Sequence, residues 1–261
     1  MSSEQEAIRR ALAERDSQIR AFIARIERFF SIELDNVLTD LDFKSQSGYQ
    51  AAAALGQLET ALIDAGLGDE LKALRAIYGT ELREIKRTFA AAGIAESDIF
   101  AGVDSAVINA LIDADFEKVT KNLSAHVSDV KAVLTRSVLS VDNVPTGKLI
   151  AGENERLSRY LNTEIDTMYS AFTRTVTAKK ADDLGFELMR YLGPDDKLTR
   201  KFCDQTLHDK EHPNAIYKIE EIKKLDNKQG LDVLTYGGGY NCRHQWRPIT
   251  LERAKELGFN G

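Results

Sequence analysis

Between Val107 and Leu134, apolar residues recur every three or four positions for about eight helical turns. Val107, Ile108, Leu111, Ile112, Phe116, Val119, Leu123, Val127, Val130 and Leu134 form one stripe, with Asp104 as its expected N-terminal cap. A helix of that length with one greasy side cannot stand alone in water. It must pack on its own chain or on a partner. The same period appears at Ile8, Leu12, Ile19, Phe22, Ile23, Ile26, Phe29 and Phe30, after a capping box of Ser3 and Glu6. It returns from Ala51 to Ala65, closed by Gly66 and Gly68, and from Leu71 to Ala92, closed by Gly93. Leu157, Leu161, Ile165, Met168, Phe172 and Val176 make the last long helix, after a loop over Asp142–Gly147.

Composition changes near residue 185. Residues 1–189 carry a net charge of −8 and residues 190–261 one of +2, giving −6 overall. Three of the four prolines, three of the four histidines, both cysteines and the single tryptophan lie in the second part. The chain therefore reads as a long-helix arm or bundle, 1–184, followed by a small α+β module, 185–261, a mainly α fold overall. In the module, Phe186–Leu192 and Leu231–Tyr236 read as strands, and Ile216–Leu225 and Leu251–Leu257 as helices.

These numbers exclude several classes. An acidic chain is no general polyanion binder, so DNA contact is at most weak. Two cysteines cannot build a disulfide-rich scaffold. No apolar run is long enough for a membrane span. The N-terminal Met-Ser-Ser-Glu-Gln-Glu is unlike a signal peptide, so the expectation is a soluble chain made in a cytoplasm.

The candidate chemistry lies in one window: Cys203, His208, His212, Cys242 and His244, spaced C-x4-H-x3-H and then C-x-H. Thiolates and imidazoles suit tetrahedral zinc, which would close a unit with little core. A thiol pair or disulfide, ordinary buried packing, and a Cys–His nucleophile pair fit the same residues. The sequence requires no cofactor, and zinc is the ion considered for this donor set. Gly237–Gly239 reads as a tight turn of positive φ, Asp195-Asp196 as a turn and cap, and His126 as a satisfied interface histidine. Phosphate-loop, nucleophile-elbow and dinucleotide motifs are all missing.

Two segments carry a family resemblance: Tyr191-Leu-Gly-Pro-Asp-Asp-Lys-Leu-Thr-Arg-Lys-Phe-Cys203 and Tyr236-Gly-Gly-Gly-Tyr-Asn-Cys-Arg-His-Gln-Trp-Arg-Pro248. In order and content they resemble the C-terminal module of tailed-phage minor head proteins, the head-morphogenesis proteins of the phage Mu F-like group. That module pairs D-x-x-T/S-R-x-x-C with a later C-R-H/C-x-W. Arg200, Cys203, Cys242, Arg243, His244 and Trp246 are the matching positions. The resemblance implies a virion component, made in a bacterial cytoplasm and acting at the portal vertex in head assembly, DNA packaging or delivery. Portal protein and capsid subunits are its implied partners, with self-association as a further expectation. On that reading the chain is no enzyme, and Val107, Leu111, Phe116, Leu123, Val130 and Leu134 are the partner-facing stripe. The alternative is a zinc-dependent or nuclease-like module handling nucleic acid.

Overall fold

A computed structural model describes residues 3–40, 47–95, 99–100, 102–139 and 146–260. The Ser3 and Asp104 side chains, and residues 142–145 of the expected loop Asp142–Gly147, lie outside the described residues, while Thr146 and Gly147 already belong to a helix. The fold is mainly α, with long helices and a small antiparallel sheet near the C-terminus. In chain order the larger helices are α1 (Ser3–Asp40), α2 (Gly48–Ala54), α3 (Leu58–Leu62), α4 (Gly68–Ala91), α5 (Gly102–Leu139) and α6 (Thr146–Asp183). Then follow β1 (Leu188–Leu192), α7 (Lys201–Leu207), β2 (Ile216–Lys218), α8 (Ile219–Ile222), α9 (Val233–Tyr236), β3 (Gln245–Ile249) and α10 (Leu251–Glu256). No helix among the described residues is long and apolar enough to cross a membrane.

Gly66 breaks the helix as expected, and a new helix follows almost at once. It sits at φ 111° inside a π turn, Ile63–Leu67, and α4 starts directly at Gly68. Gly93, at φ 86°, does terminate α4, as its missing Cβ allows.

Packing divides the chain differently from composition. One compact unit collects Met1–Ser17, Tyr78–Ile112 and Thr163–Gly261, and the other Gln18–Ile77 and Asp113–Asn162.

The second unit buries the apolar stripes of its helices, including Phe22, Ile26, Phe30, Leu58, Leu74, Val119 and Leu161. This corrects the partner-facing stripe. Leu123, Val130 and Leu134 are core residues with almost no exposure, because a helix surrounded by other striped helices satisfies its own chain first. Phe116 is half-buried beneath the Arg75 guanidinium, 4.9 Å from its ring centre. His126 is buried here as expected. Its Nε2 lies 3.1 Å from Asn154 Oδ1 and its ring meets Phe30 edge-on, and burial holds its pKa below the usual imidazole value.

In the first unit Leu111 is half-buried, and Val107, 50% exposed, is the one stripe residue left open to solvent. The sheet there has the order β2–β1–β3, antiparallel throughout, with Met189 opposite Tyr217 and Pro248, and Tyr191 opposite Trp246. Pro248 sits on an edge strand, where its missing N–H costs no ladder bond. One sheet face packs Leu188, Ile216 and Ile249 on Ala254 and Phe259. Leu192, at the end of β1, joins Ile8 and Leu12 of α1. The other face is aromatic: Trp246 lies 4.3 Å from Tyr191 and 5.6 Å from Tyr217, centre to centre.

Two expected elements differ. Leu231–Tyr236 is not a strand: Asp232 caps Thr235 N–H and turns Val233–Tyr236 into one helical turn. The third strand is instead the buried Gln245–Ile249. Ile216–Leu225 is split, its first three residues joining the sheet before Lys218 caps a short helix.

Candidate functional site

The aromatic sheet face positions the site. Tyr191 projects from β1, Cys203 lies inside α7, and Cys242 and His244 lie in the short coil between the turn at residues 237–241 and β3. All four are essentially buried. The two sulfurs are free thiols 3.7 Å apart. The Tyr191 hydroxyl lies 3.4 Å from Cys203 Sγ and 3.6 Å from Cys242 Sγ. His244 Nδ1 stands 4.0 Å from Cys242 Sγ, and its ring stacks on Tyr191 at 14°. The ring's Nε2 is buried without a hydrogen-bond partner.

Two glycines make room for this approach. A Cβ on Gly238 would stand 2.4 Å from Cys203 Sγ, and one on Gly193 would stand 2.4 Å from His244 Cδ2 and 2.9 Å from its Cα. The expected positive φ occurs at Gly237 and Gly239, and also at Asn241.

Charge in the pair is uneven. The hydrogen bond from the Cys203 thiol, the nearby Arg174 guanidinium and His244 hold Cys242 well below the ordinary thiol value. The same bond, burial and repulsion from Cys242 push Cys203 up. The Gly238 N–H donates to Cys242 Sγ at 3.2 Å, a further stabilisation of negative sulfur. Burial, then the two sulfurs, raise the Tyr191 phenol well above its usual value.

Sequence reasoning missed Arg174, a buried arginine of α6. Its Nε donates to the His244 carbonyl at 2.9 Å, its Nη1 to the Thr235 carbonyl at 3.1 Å, and its Nη2 to the Cys242 carbonyl. One guanidinium thus fixes the loop carrying Cys242 and His244. A usable signal existed: Arg174 is the single charged residue between Asp166 and Lys179, in a tract of hydroxyls and apolar side chains. A solvent-facing helix side would carry more charge than that.

Cys203, Cys242 and His244 converge, with ligand atoms mutually within 4.8 Å. His208 and His212 do not join them. Five residues along a helix turn the side chain by about 140°, so Cys203 faces inward while His208 faces solvent. There His208 meets Asp195 at 3.1 Å and Asp204 at 3.8 Å, an exposed cluster of ordinary surface pairs. His212 stacks on Tyr217 and bonds Asp209.

The remaining motif residues are structural ties. Arg200 donates to the Gly238 carbonyl at 3.1 Å. Arg243 grips Asp196 with both terminal nitrogens, at 2.8 and 2.5 Å. Trp246 Nε1 donates to the Val233 carbonyl. Asp196 also accepts from Leu198 N–H, so its turn role is borne out, but it caps no helix: the residue ahead of α7 is Arg200. The Arg243 guanidinium lowers the Asp196 carboxyl to about 2. A carboxylate lowered by folding adds stability above its free value of 3.8 and loses it as pH falls toward 2. Arg243→Ala is expected to return the Asp196 midpoint toward 3.8 in a carboxyl-carbon NMR titration and to flatten stability between those two pH values. An unmoved midpoint would refute the pairing.

A cleft of about 1040 Å³ in the same unit is lined by Arg10, Arg87, Arg247 and Arg253 among others. Each of these four already pairs with a carboxylate: Glu6, Glu84, Glu84 and Glu256 respectively. Such a surface holds little charge in reserve for a phosphate backbone.

Comparison of the chain with family models, curated proteins and solved structures returns no match.

Proposed function

We propose that the chain is a structural component of a tailed-phage particle, a minor head protein of the Mu F-like kind acting at the portal vertex. One observation carries this reading: the two segments of the sequence resemblance bind each other, pair by pair. Asp196 of the first holds Arg243 of the second, Cys203 touches Cys242, and Arg200 bonds the Gly238 carbonyl just ahead of Cys242. Residues that match a motif across a gap of about 40 positions therefore share a physical reason to occur together. Burial supports architecture over catalysis, because a thiol at 1% or 3% exposure offers no attack path to a macromolecule.

The test is particle composition. Density-purified particles from the phage or lysogen encoding this chain should contain it in a few copies, bound to portal-vertex fragments after mild disruption. Its presence only in the free lysate fraction, with particles unchanged by gene deletion, would overturn the assignment. Cleavage of plasmid or tRNA by the purified chain, abolished by His244→Ala, would favour the nuclease-like alternative.

A further inference from the structure

The four polar side-chain groups on the aromatic sheet face stand at the corners of one small polyhedron. Tetrahedral zinc bonds sulfur at about 2.3 Å and nitrogen or oxygen at about 2.0–2.2 Å, which sets sulfur–sulfur edges near about 3.8 Å and sulfur–oxygen edges near about 3.6 Å. The observed sulfur–sulfur separation is 3.7 Å, and the Tyr191 oxygen lies 3.4 and 3.6 Å from the two sulfurs. His244 Nδ1 lies 4.0 Å from Cys242 Sγ, and the ligand atoms of Cys203, Cys242 and His244 all lie within 4.8 Å of one another, close enough for one cation to draw together. A disulfide would need sulfurs about 2.05 Å apart.

We propose that Cys203, Cys242 and His244 bind one thiophilic divalent cation of the zinc class, with the Tyr191 oxygen at the fourth corner. This inference does not depend on the virion reading. The ligands come from β1, α7 and the loop before β3, so a cation would cross-link three segments whose ligands lie 12 to 53 residues apart in the chain. Supporting contacts are already built. Gly238 N–H donates to Cys242 Sγ, and Arg174 fixes the carbonyls of Cys242 and His244. Two sulfur–metal bonds form as two thiol protons pass to solvent, leaving two thiolates to balance the cation's two charges. Full burial makes the site closed and structural, without an open position for substrate.

The full-length chain, expressed with zinc supplied, should carry one zinc per molecule by elemental analysis and native mass spectrometry. Exchange with Co(II) should give thiolate-to-cobalt charge-transfer bands together with tetrahedral d–d absorption. Both cysteines should resist a thiol reagent until a chelator removes the metal. Cys203→Ser and His244→Asn should each abolish the charge-transfer spectrum, while His208→Asn and His212→Asn leave it intact. Tyr191→Phe should shift the d–d bands, and unchanged bands would overturn the fourth-corner assignment. Because the cysteine variant can misfold, the decisive readout is on the unaltered chain. If that chain is folded by circular dichroism yet takes up neither zinc nor cobalt, the site is refuted. A Cys203–Cys242 disulfide in the freshly purified chain, or loss of the cobalt spectrum on His208→Asn, refutes it equally.

Discussion

Replacing Arg174 with alanine is expected to cost about 4 kcal/mol, because two buried carbonyl acceptors and one part-buried one lose their donor at once. Those carbonyls belong to Thr235 in α9 and to Cys242 and His244 in the segment before β3. The loss should appear as a lower denaturant midpoint followed by the fluorescence of Trp246, the chain's single tryptophan and a core residue of the same unit. Arg174→Lys should recover less than half of the loss, since one ammonium cannot reproduce a planar fork spanning three acceptors. A lysine variant as stable as the original chain would show that charge, and not geometry, is what the position supplies.

The second large effect concerns Trp246 itself. It is 1% exposed and packs against both Tyr191 and Tyr217, so its truncation to alanine opens a cavity in the aromatic sheet face. We expect Trp246→Ala to destabilise by about 3–5 kcal/mol, read by circular dichroism because the fluorescent probe is gone. Trp246→Phe keeps most of the volume and loses one hydrogen bond, about 1 kcal/mol. The Val233 carbonyl it would abandon still accepts from Gly237 N–H, which limits that penalty. Equal losses for both substitutions would mean that the indole N–H, and not packing, is the dominant contribution.

Helices were legible in the sequence where a period of 3.6 persists over many turns, as in α1, α5 and α6. What the period could not reveal is which neighbour covers each stripe. Leu123 and Leu134 look as ready for a foreign partner as for their own chain until the other stripes are seen beside them. The small module was read less well because its elements are too short for periodicity to discriminate. Leu231–Tyr236 has strand-like composition, yet one Asp232 cap decides for a helical turn. Gln245–Ile249 contains an arginine and a proline, and it became a strand because the sheet edge tolerates the proline while Glu84 neutralises the buried Arg247. The site itself was half visible. Residue types singled out Cys203, Cys242 and His244, but helical phase, which separates His208 from them, matters only once the ends of α7 are known. Tyr191 and Arg174 went unnoticed because each takes its role from partners distant in sequence.

The first compact unit is assembled from three stretches, and the first of them meets the third. Ile8 and Leu12 share a cluster with Leu192, and Arg15 pairs with Asp166 at 3.0 Å. During synthesis the opening turns of α1 leave the ribosome long before their partners exist. The apolar side of those turns gains its Leu192 contact only once residue 192 has been made. Contacts of such long sequence range close late in folding, because the loop between them must be ordered before they reward it.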